Sequence, residues 1–440
     1  MRYNDQLKKF TLTATGDIFI TRRLTPYNEP AYLEMWNILK NSDIKFTNFE
    51  MLVHDFNGYP VAESGGTYTQ VDSEVFNDLQ FAGFNLYSLA NNHSLDYGIK
   101  AMLHTKQLLK IHKLVNAGTG INLADARSAS YLDLNCGRVA LIAASSTFAS
   151  FGRAGHARVD SIGRPGLNPV RFHSYIEVDD KHYNMIKELE KHTGIKSQKQ
   201  RYFKMGWLKS EPSGVCKLEN LKFIKGNNPG IHTIINDQDR AGNIKWIKDA
   251  SDQADIVVYS LHLHQGDAMN PWKPAEFQLK FAHECINAGA DVFIAHGAHY
   301  IRGIEIYNNK PIFHGLGNFI FQNETVLKLP QDVYDLNGLG YDATPADYYN
   351  KRSNNDQQGF PTQERFWQTV LPWCRFNNGK VVEIKLYPIT LGFGKKRTVR
   401  GRPMLAKDEE GERILNRIRE LSAPFGTKIN IINNIGIVEL

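Results

Sequence analysis

A layered α/β fold with helices over a central sheet follows from three features of this 440-residue sequence. Short β-branched or aromatic runs alternate with longer stretches of helical spacing, the order that places helices against a sheet. Run after run ends in Asp, Asn, Glu or His, where sites assemble in open α/β sheets. No internal repeat or low-complexity tract interrupts the pattern, so a solenoid or a disordered chain is excluded.

The elements follow in order. FTLTAT (10–15) predicts the first strand and is followed by Gly16-Asp17; IKFTN (44–48) predicts the second and leads to Glu50. Residues 74–82 have helical spacing, NLYSL (85–89) reads as a strand, and 99–113 as a helix. RVALIAA (138–144), DIVVYSL (255–261), DVFIA (291–295) and PIFH (311–314) are apolar or β-branched runs of strand length. Between the middle pair, 275–288 places Phe277, Phe281, Ala282 and Cys285 on one helical stripe. Two stretches break the rhythm. Residues 150–235 are rich in Gly, Pro and charge, with a helical segment near 181–193, and predict an insertion, or lid, over the core. Residues 326–440 begin polar and irregular (DQQGFPTQERFW), then resume strand and helix signals at 380–389 and 408–421. The expected organisation is a core unit over 8–325, carrying that insertion, and an appended C-terminal α+β lobe over 326–440 packed on it.

Composition narrows the class. Hydrophobic residues make up 42% and charged residues 22%, enough for a large core. The net charge of +6 suits an anionic substrate, but no dense Lys/Arg block with interleaved aromatics marks a nucleic-acid site. The four cysteines are far apart with no CxxC pair, which argues against a disulfide scaffold and for reduced thiols. No signal pattern opens the chain and no apolar run reaches the roughly 20 residues of a membrane span. A cytoplasmic protein is expected.

The chemistry resides at the strand ends. Asp17, Asn48, Glu50, Asn92, His93, His262, His264, His296 and His299 all follow predicted strands. In SLHLHQG (260–266), strand alternation points His262 and His264 to one side. Imidazole with carboxylate and amide oxygen suits a divalent ion such as zinc, manganese, iron or calcium, bound singly or as a pair. Each residue also has a plainer reading. Gly16-Asp17 makes a turn, Asn91 and Asn92 can cap a helix whose N-terminal carboxylate is Asp96, and His299 can be a hydrogen-bonded histidine beside a glycine. His104 and His112 read as packing or surface residues of an amphipathic helix. Gly118 and Gly120 lack the lysine of a phosphate loop. Around GRPGLNP (163–169), Arg153, Arg158 and Arg164 form either a solvated basic loop or a lid gripping a substrate carboxylate or phosphate.

Taken in order, GD, NFE, LANNHSLDYG, SLHLHQG, GADVFIAHGAH and GIEIYNNKPIFHGLGNFIF resemble the CapA family, associated with poly-γ-glutamate capsule synthesis. GGTYTQVD (65–72) and GTGINLADA (118–126) fit the same pattern, and the likeness covers about residues 10–325 without the insertion. The resemblance implies a calcineurin-like metallophosphoesterase fold, a four-layer αββα sandwich with a metal site at one edge. Matched position by position, it implies Asp17, Glu50, Asn92, His262, His264, His296 and His299 as metal ligands, with His262 or His264 filling the mid-chain position. It implies His93, Asp96 and His264 as the acid–base groups, and Asn48 and Thr67 at the substrate side, Asn48 orienting Glu50 or another ligand. Three departures weaken a direct transfer of phosphatase activity. Phe19 stands where Asp-x-His would place an imidazole. His296-Gly297-Ala298-His299 lacks a middle histidine. Asp267 stands in place of a glutamate after the mid-chain histidines. The expected activity is metal-dependent hydrolysis of an anionic γ-glutamyl, peptide or phosphoester substrate. Metal-dependent epimerisation of a peptide α-carbon and a non-catalytic polyglutamate-binding role are the alternatives.

Overall fold

The Thr- and Phe-rich run at the start of the chain becomes strand β1 (Lys9–Phe19), which buries Phe10, Leu12 and Ala14 on one side. A computed structural model describes residues 9–440; residues 1–8, including the expected first residue of the core unit, lie outside the described residues. Helix α1 (Pro30–Lys40) follows, with proline at its first turn, where the missing N–H is harmless. Strands β2 (Ile44–Phe49) and β3 (Leu86–Ser88), helix α2 (Gly98–Ile111) and strand β4 (Val115–Ala117) continue the pattern. β1 to β4 are parallel neighbours in that order.

A second sheet uses β5 (Ser130–Leu134), β6 (Gly137–Ser145), β7 (Ile256–His262), β8 (Val292–His296), β9 (Ile304–Tyr307) and β10 (Lys310–Phe313). Its order is β9-β10-β8-β7-β6-β5; the four inner strands are parallel and both edges are hairpins. Helices α3 (Asp237–Gln253) and α4 (Glu276–Asn287) precede β7 and β8.

The two sheets pack face to face. Leu12, Phe46 and Leu86 of the first share one buried cluster with Leu141, Val258 and Ile294 of the second. On the outer face of the first sheet, Tyr32, Met35, Trp36 and Leu39 of α1 form an i, i+3, i+4, i+7 stripe against Phe49 and Tyr87. On the outer face of the second, Ile247 of α3 and Phe277 and Phe281 of α4 cover Ile142, Val257 and Phe293. The layers run helix, sheet, sheet, helix, and the stripe expected on 275–288 is fully buried.

Two regions differ from the sequence expectation. Within 150–235, Phe172–Val178, Val215–Leu218, Leu221–Lys225 and Gly230–Ile235 form a separate four-stranded sheet beside helices Asp180–His192 and Ile195–Lys204. These strands are short and half-exposed, so they lack an apolar run to announce them. The sheet is pinned to α4, where Phe172 stacks on Phe277 with centroids 4.8 Å apart. The tail, expected as an appended lobe, is instead continuous with the first sheet. β11 (Asn318–Phe321), still within the core unit, pairs with the end of β1, and the tail's β12 (Gln368–Asn377) pairs antiparallel with its start. β13 (Lys380–Thr390), β14 (Ile429–Ile432) and β15 (Ile435–Val438) extend the sheet outward. Val370, Cys374 and Phe376 of β12, with Ile414 and Ile418 of α5 (Asp408–Ser422), belong to the buried cluster between the sheets.

Candidate metal centre

The parallel strands of both sheets end at one edge, and the expected ligands meet there. β1 shifts register on either side of Asp17, which pairs with Asn48 of β2 and Asn318 of β11, an irregularity that re-aims a side chain. Gly16 makes this join: a Cβ there would lie 2.9 Å from the Gly317 carbonyl carbon. Asp17 is fully buried, and its Oδ1 accepts from Asn48 Nδ2 at 2.8 Å. Its Oδ2 accepts from the Gly297 N–H at 2.9 Å. Gly297 has φ +100°, and a Cβ at that position would come within 2.9 Å of the His262 ring. Only glycine permits that approach without displacing the histidine.

His262 and His296 end adjacent parallel strands in register, and their Nδ1 atoms are 3.2 Å apart. Asp17 Oδ1 lies 3.5 Å from His296 Nδ1 and 3.9 Å from His262 Nδ1. Asn48 Nδ2 is also 3.3 Å from His262 Nδ1. The far side of His296 is fixed by Ser260, whose Oγ is 2.7 Å from Nε2. Asp17, His262 and His296 thus each offer a ligand atom within 4.8 Å of the others.

A second group touches the first. Glu50, His264 and His299 offer atoms within the same mutual distance, and Glu50 Oε1 is 3.5 Å from His262 Nε2. His299 has φ +65°, a left-handed conformation rare outside glycine and asparagine. That backbone turns its Nδ1 to 2.9 Å from Asn318 Oδ1 and 3.6 Å from Asp17 Oδ2. Both Glu50 carboxylate oxygens and His262 Nε2 are buried without a hydrogen-bond partner among the described residues. So is Asn92 Oδ1, whose Nδ2 donates to the Gly65 carbonyl at 2.9 Å.

The electrostatics follow from this geometry. Burial pushes the Glu50 carboxyl well above its ordinary range, and Asp17 and Asp96 push the same way. Burial also opposes charge on Asp17, but hydrogen bonds from His296 and His299 prevail and hold it well below the carboxylate range. Burial drives His262 well below the ordinary imidazole value, and burial with the His299 ring takes His264 down to about 3. Two neutral imidazoles and an ionised Asp17 are ligand-ready, whereas burial opposes charge on Glu50 and a cation there would favour its carboxylate form.

Beside the cluster, Asp96 accepts from His93 Nδ1 at 2.6 Å, from the Thr69 N–H at 2.9 Å and from the Gly65 N–H at 3.2 Å. It therefore orients His93 and the 65–69 loop and caps no helix. His93 Nε2 is left without a hydrogen bond among the described residues, facing Gly66, whose absent Cβ would sit 3.8 Å away. Phe19 packs edge-on against His93, with centroids 5.4 Å apart, and supplies an apolar wall where an imidazole was the family expectation.

The remaining expectations divide. Thr67 lies in the 65–69 loop, and its Oγ1 accepts from Arg352 Nη1 at 2.6 Å. Arg153, Arg158 and Arg164 are not brought to the metal cluster. Arg153 and Arg164 line a separate 570 Å³ cavity with Arg127, Arg171 and Asp239, and Arg158 pairs with Asp160 at 3.1 Å on the surface. The backbone of this segment is held by a bridge between Arg153 and Leu167. Asp267 caps its own turn through the Met269 and Asn270 N–H groups and does not join the site. Sequence reasoning missed Ser260, Gly297 and Asn318; all three lie inside quoted motifs, but their roles depend on strand register.

Fold and site together define an α/β protein with a buried acid–imidazole centre able to hold a divalent cation. The chain belongs to the bacterial capsule synthesis protein family PGA_cap, which its residues 11–323 match. It is 32% identical to the uncharacterized protein y4sH of Sinorhizobium fredii (strain NBRC 101917 / NGR234), over 98% of this chain and 93% of that one. It is 26% identical to the PGA biosynthesis protein CapA of Bacillus subtilis (strain 168), over 79% of this chain and 73% of that one. The capsule biosynthesis protein CapA of Bacillus anthracis is 25% identical over 71% of this chain and 60% of its own length. No helix among the described residues is long and apolar enough to cross a membrane.

Proposed function

We propose that this protein is a metal-dependent hydrolase of calcineurin-like architecture acting on an anionic γ-glutamyl, peptide or phosphoester substrate in poly-γ-glutamate metabolism. The metabolic assignment draws on the relatives named for capsule and PGA synthesis. The helix–sheet–sheet–helix layering and the ligands at the strand ends support the calcineurin-like reading. We assign the ligand-bearing core to residues 8–325, with 150–235 as its insertion.

One observation carries the reading. Three adjacent buried atoms, Glu50 Oε1 and Oε2 and His262 Nε2, have no hydrogen-bond partner among the described residues, and Asn92 Oδ1 shares this condition. Buried polar groups without partners are costly and rare in folded proteins. One or two cations held by Asp17, Glu50, Asn92, His262, His264, His296 and His299 would satisfy them, and the nitrogen and oxygen donor set suits manganese, zinc, iron or calcium. Bound there, a divalent ion supplies Lewis acidity and a nucleophile of lowered pKa.

The chain's own residues do the rest. Asn48 and the Gly297 N–H hold the Asp17 carboxylate in place, and Ser260 fixes the His296 ring. Asp96 keeps His93 Nδ1 engaged, so Nε2 is the ring atom left to take a proton from the attacking water and return it to the leaving atom. Phe19 keeps water from that side of the imidazole. The test is metal analysis of protein purified under metal-replete conditions, paired with mass spectrometry of γ-glutamyl peptides and phosphoesters. The expected result is a retained divalent ion and a product heavier by one water in total mass. Protein that retains no divalent ion, or leaves all these substrates intact while metal-loaded, overturns the proposal.

A further inference from the structure

The tail does more than extend a sheet. Its segment 345–366 folds back over the mouth of the candidate centre and walls a cavity of about 240 Å³ with Tyr349, Arg352, Phe360, Phe366, Asn323 and Glu324. Two contacts place this cavity at the rim of the ligand cluster. Phe360 meets the His299 ring edge-on, with centroids 5.9 Å apart. Arg352 Nη1 donates to Thr67 Oγ1 at 2.6 Å, in the loop whose Gly66 faces His93.

The charge in the cavity is unbalanced. Glu324 is occupied by Arg400 at 2.6 Å, and Arg400 also takes Asp356 at 2.9 Å. Arg352 has no carboxylate partner among the described residues; the only hydrogen bonds of its guanidinium there go from Nη1 to Thr67 and to Tyr348 Oη at 3.3 Å. Nε and Nη2 remain free for a planar anion, and the guanidinium is steadied 5.6 Å from the Phe360 ring centroid. Asn323 lines the same cavity, is 5% exposed, and its buried Oδ1 has no partner. Its amide can present either end to a ligand. A lone guanidinium, an unpaired amide and two aromatic walls match a carboxylate on a short aliphatic stem.

We propose that this cavity is a carboxylate subsite for the substrate, with Arg352 as its cation and Asn323 as its second polar contact. It rests on the reading of the strand-end cluster as the reacting centre. It also lies, apart from Asn323, outside residues 11–323 that match the family, so the specificity is supplied by the tail.

The experiment is titration calorimetry of the metal-loaded full chain and of its Arg352→Ala and Arg352→Lys variants. The probes are a γ-linked triglutamate peptide, its fully amidated counterpart and inorganic phosphate, with metal content measured on every sample. The parent is expected to prefer triglutamate over the amide. Arg352→Ala is expected to lose at least about tenfold in triglutamate affinity, with amide binding and metal content unchanged. Arg352→Lys should recover only part of the loss, because an ammonium lacks the planar fork. No triglutamate binding by the parent, equal loss for both peptides, no loss in Arg352→Ala, or tighter binding of phosphate than of triglutamate each overturns the subsite. Arg352-dependent triglutamate binding by protein that holds no metal would instead overturn the metal-centre reading and leave the subsite standing.

Discussion

Glu50→Gln tests the centre most directly, because it keeps shape and removes charge. In the metal-free protein the Glu50 carboxyl is fully buried, with its Oε1 3.5 Å from His262 Nε2 and no hydrogen-bond partner among the described residues. Burial, then Asp17 and Asp96, raise its pKa well above the ordinary value. A folded-state pKa raised above the unfolded one contributes stability in full below the unfolded pKa, and that stability is lost as pH rises through the folded value. The glutamine variant escapes this loss, so metal-free Glu50→Gln should be at least as stable as the metal-free parent at pH 8. Metal binding should move the other way. Changing an outer partner of a ligand costs about 10–100-fold in affinity, so losing a direct ligand should cost at least about 100-fold, or about 2.7 kcal/mol. At a metal concentration about 100 times the parent's Kd, the parent gains about 2.7 kcal/mol and the variant only about 0.4 kcal/mol. Unfolding entropy of about 2.1 cal/mol/K per residue gives about 0.9 kcal/mol/K for 440 residues. The metal-induced rise in Tm is then about 3 °C for the parent and under about 1 °C for the variant. Scanning calorimetry with and without manganese or zinc reads both effects. Equal metal-induced shifts, or a metal-free variant less stable than the parent at pH 8, would refute the reasoning.

Other predictions test neighbouring parts. Metal affinity should rise with pH, because the raised Glu50 must give up a proton, whereas Asp17 and His262, both shifted down, are already in ligand form at neutral pH. Calorimetry in buffers of different ionisation enthalpy should register that proton release, and its absence would count against Glu50 as a ligand. His93→Ala should keep its metal content and lose about 10²–10⁴ in turnover of any substrate found, with Asp96→Asn losing less; a parallel loss of metal would make His93 a ligand instead. Gly297→Ala should weaken metal binding by forcing a Cβ to within 2.9 Å of the His262 ring, and an unchanged affinity would show that the ring is free to move. Ser260→Ala should cost about 10–100-fold in metal affinity through the freed His296 Nε2, and unchanged affinity would remove Ser260 from the centre.

What the sequence reveals here depends on how local the physical signal is. Ligands at strand ends are legible because an apolar run stops where its last side chain becomes useful, so His262, His296 and Asp17 could be placed from order alone. α3 was not legible: it buries Asp239 and Asn243 beside Ile247 and Ala250, so its inward stripe is half polar. Asp239 tolerates that position because Arg127 and Arg171 both donate to it, a pairing that joins residues 112 and 68 positions apart. Strand β12 is hidden for a related reason, since its run is interrupted by Pro372 and Arg375 and its partner β1 lies at the other end of the chain.

The histidine doublet shows where periodicity alone reaches its limit. Strand alternation predicts one shared face for His262 and His264, and their rings do lie 5.2 Å apart. Yet β7 ends at His262, so His264 stands on the following turn, its N–H donating to Thr147 Oγ1 at 2.9 Å. His262 therefore joins Asp17 and His296 in the fully buried group, while His264 joins Glu50 and His299 beside the tail's Phe360. One group is fixed by sheet register and the other by loops, one of which the C-terminal segment covers. A change in the tail should accordingly disturb ligands of the second group, His299 first, before it disturbs those of the first.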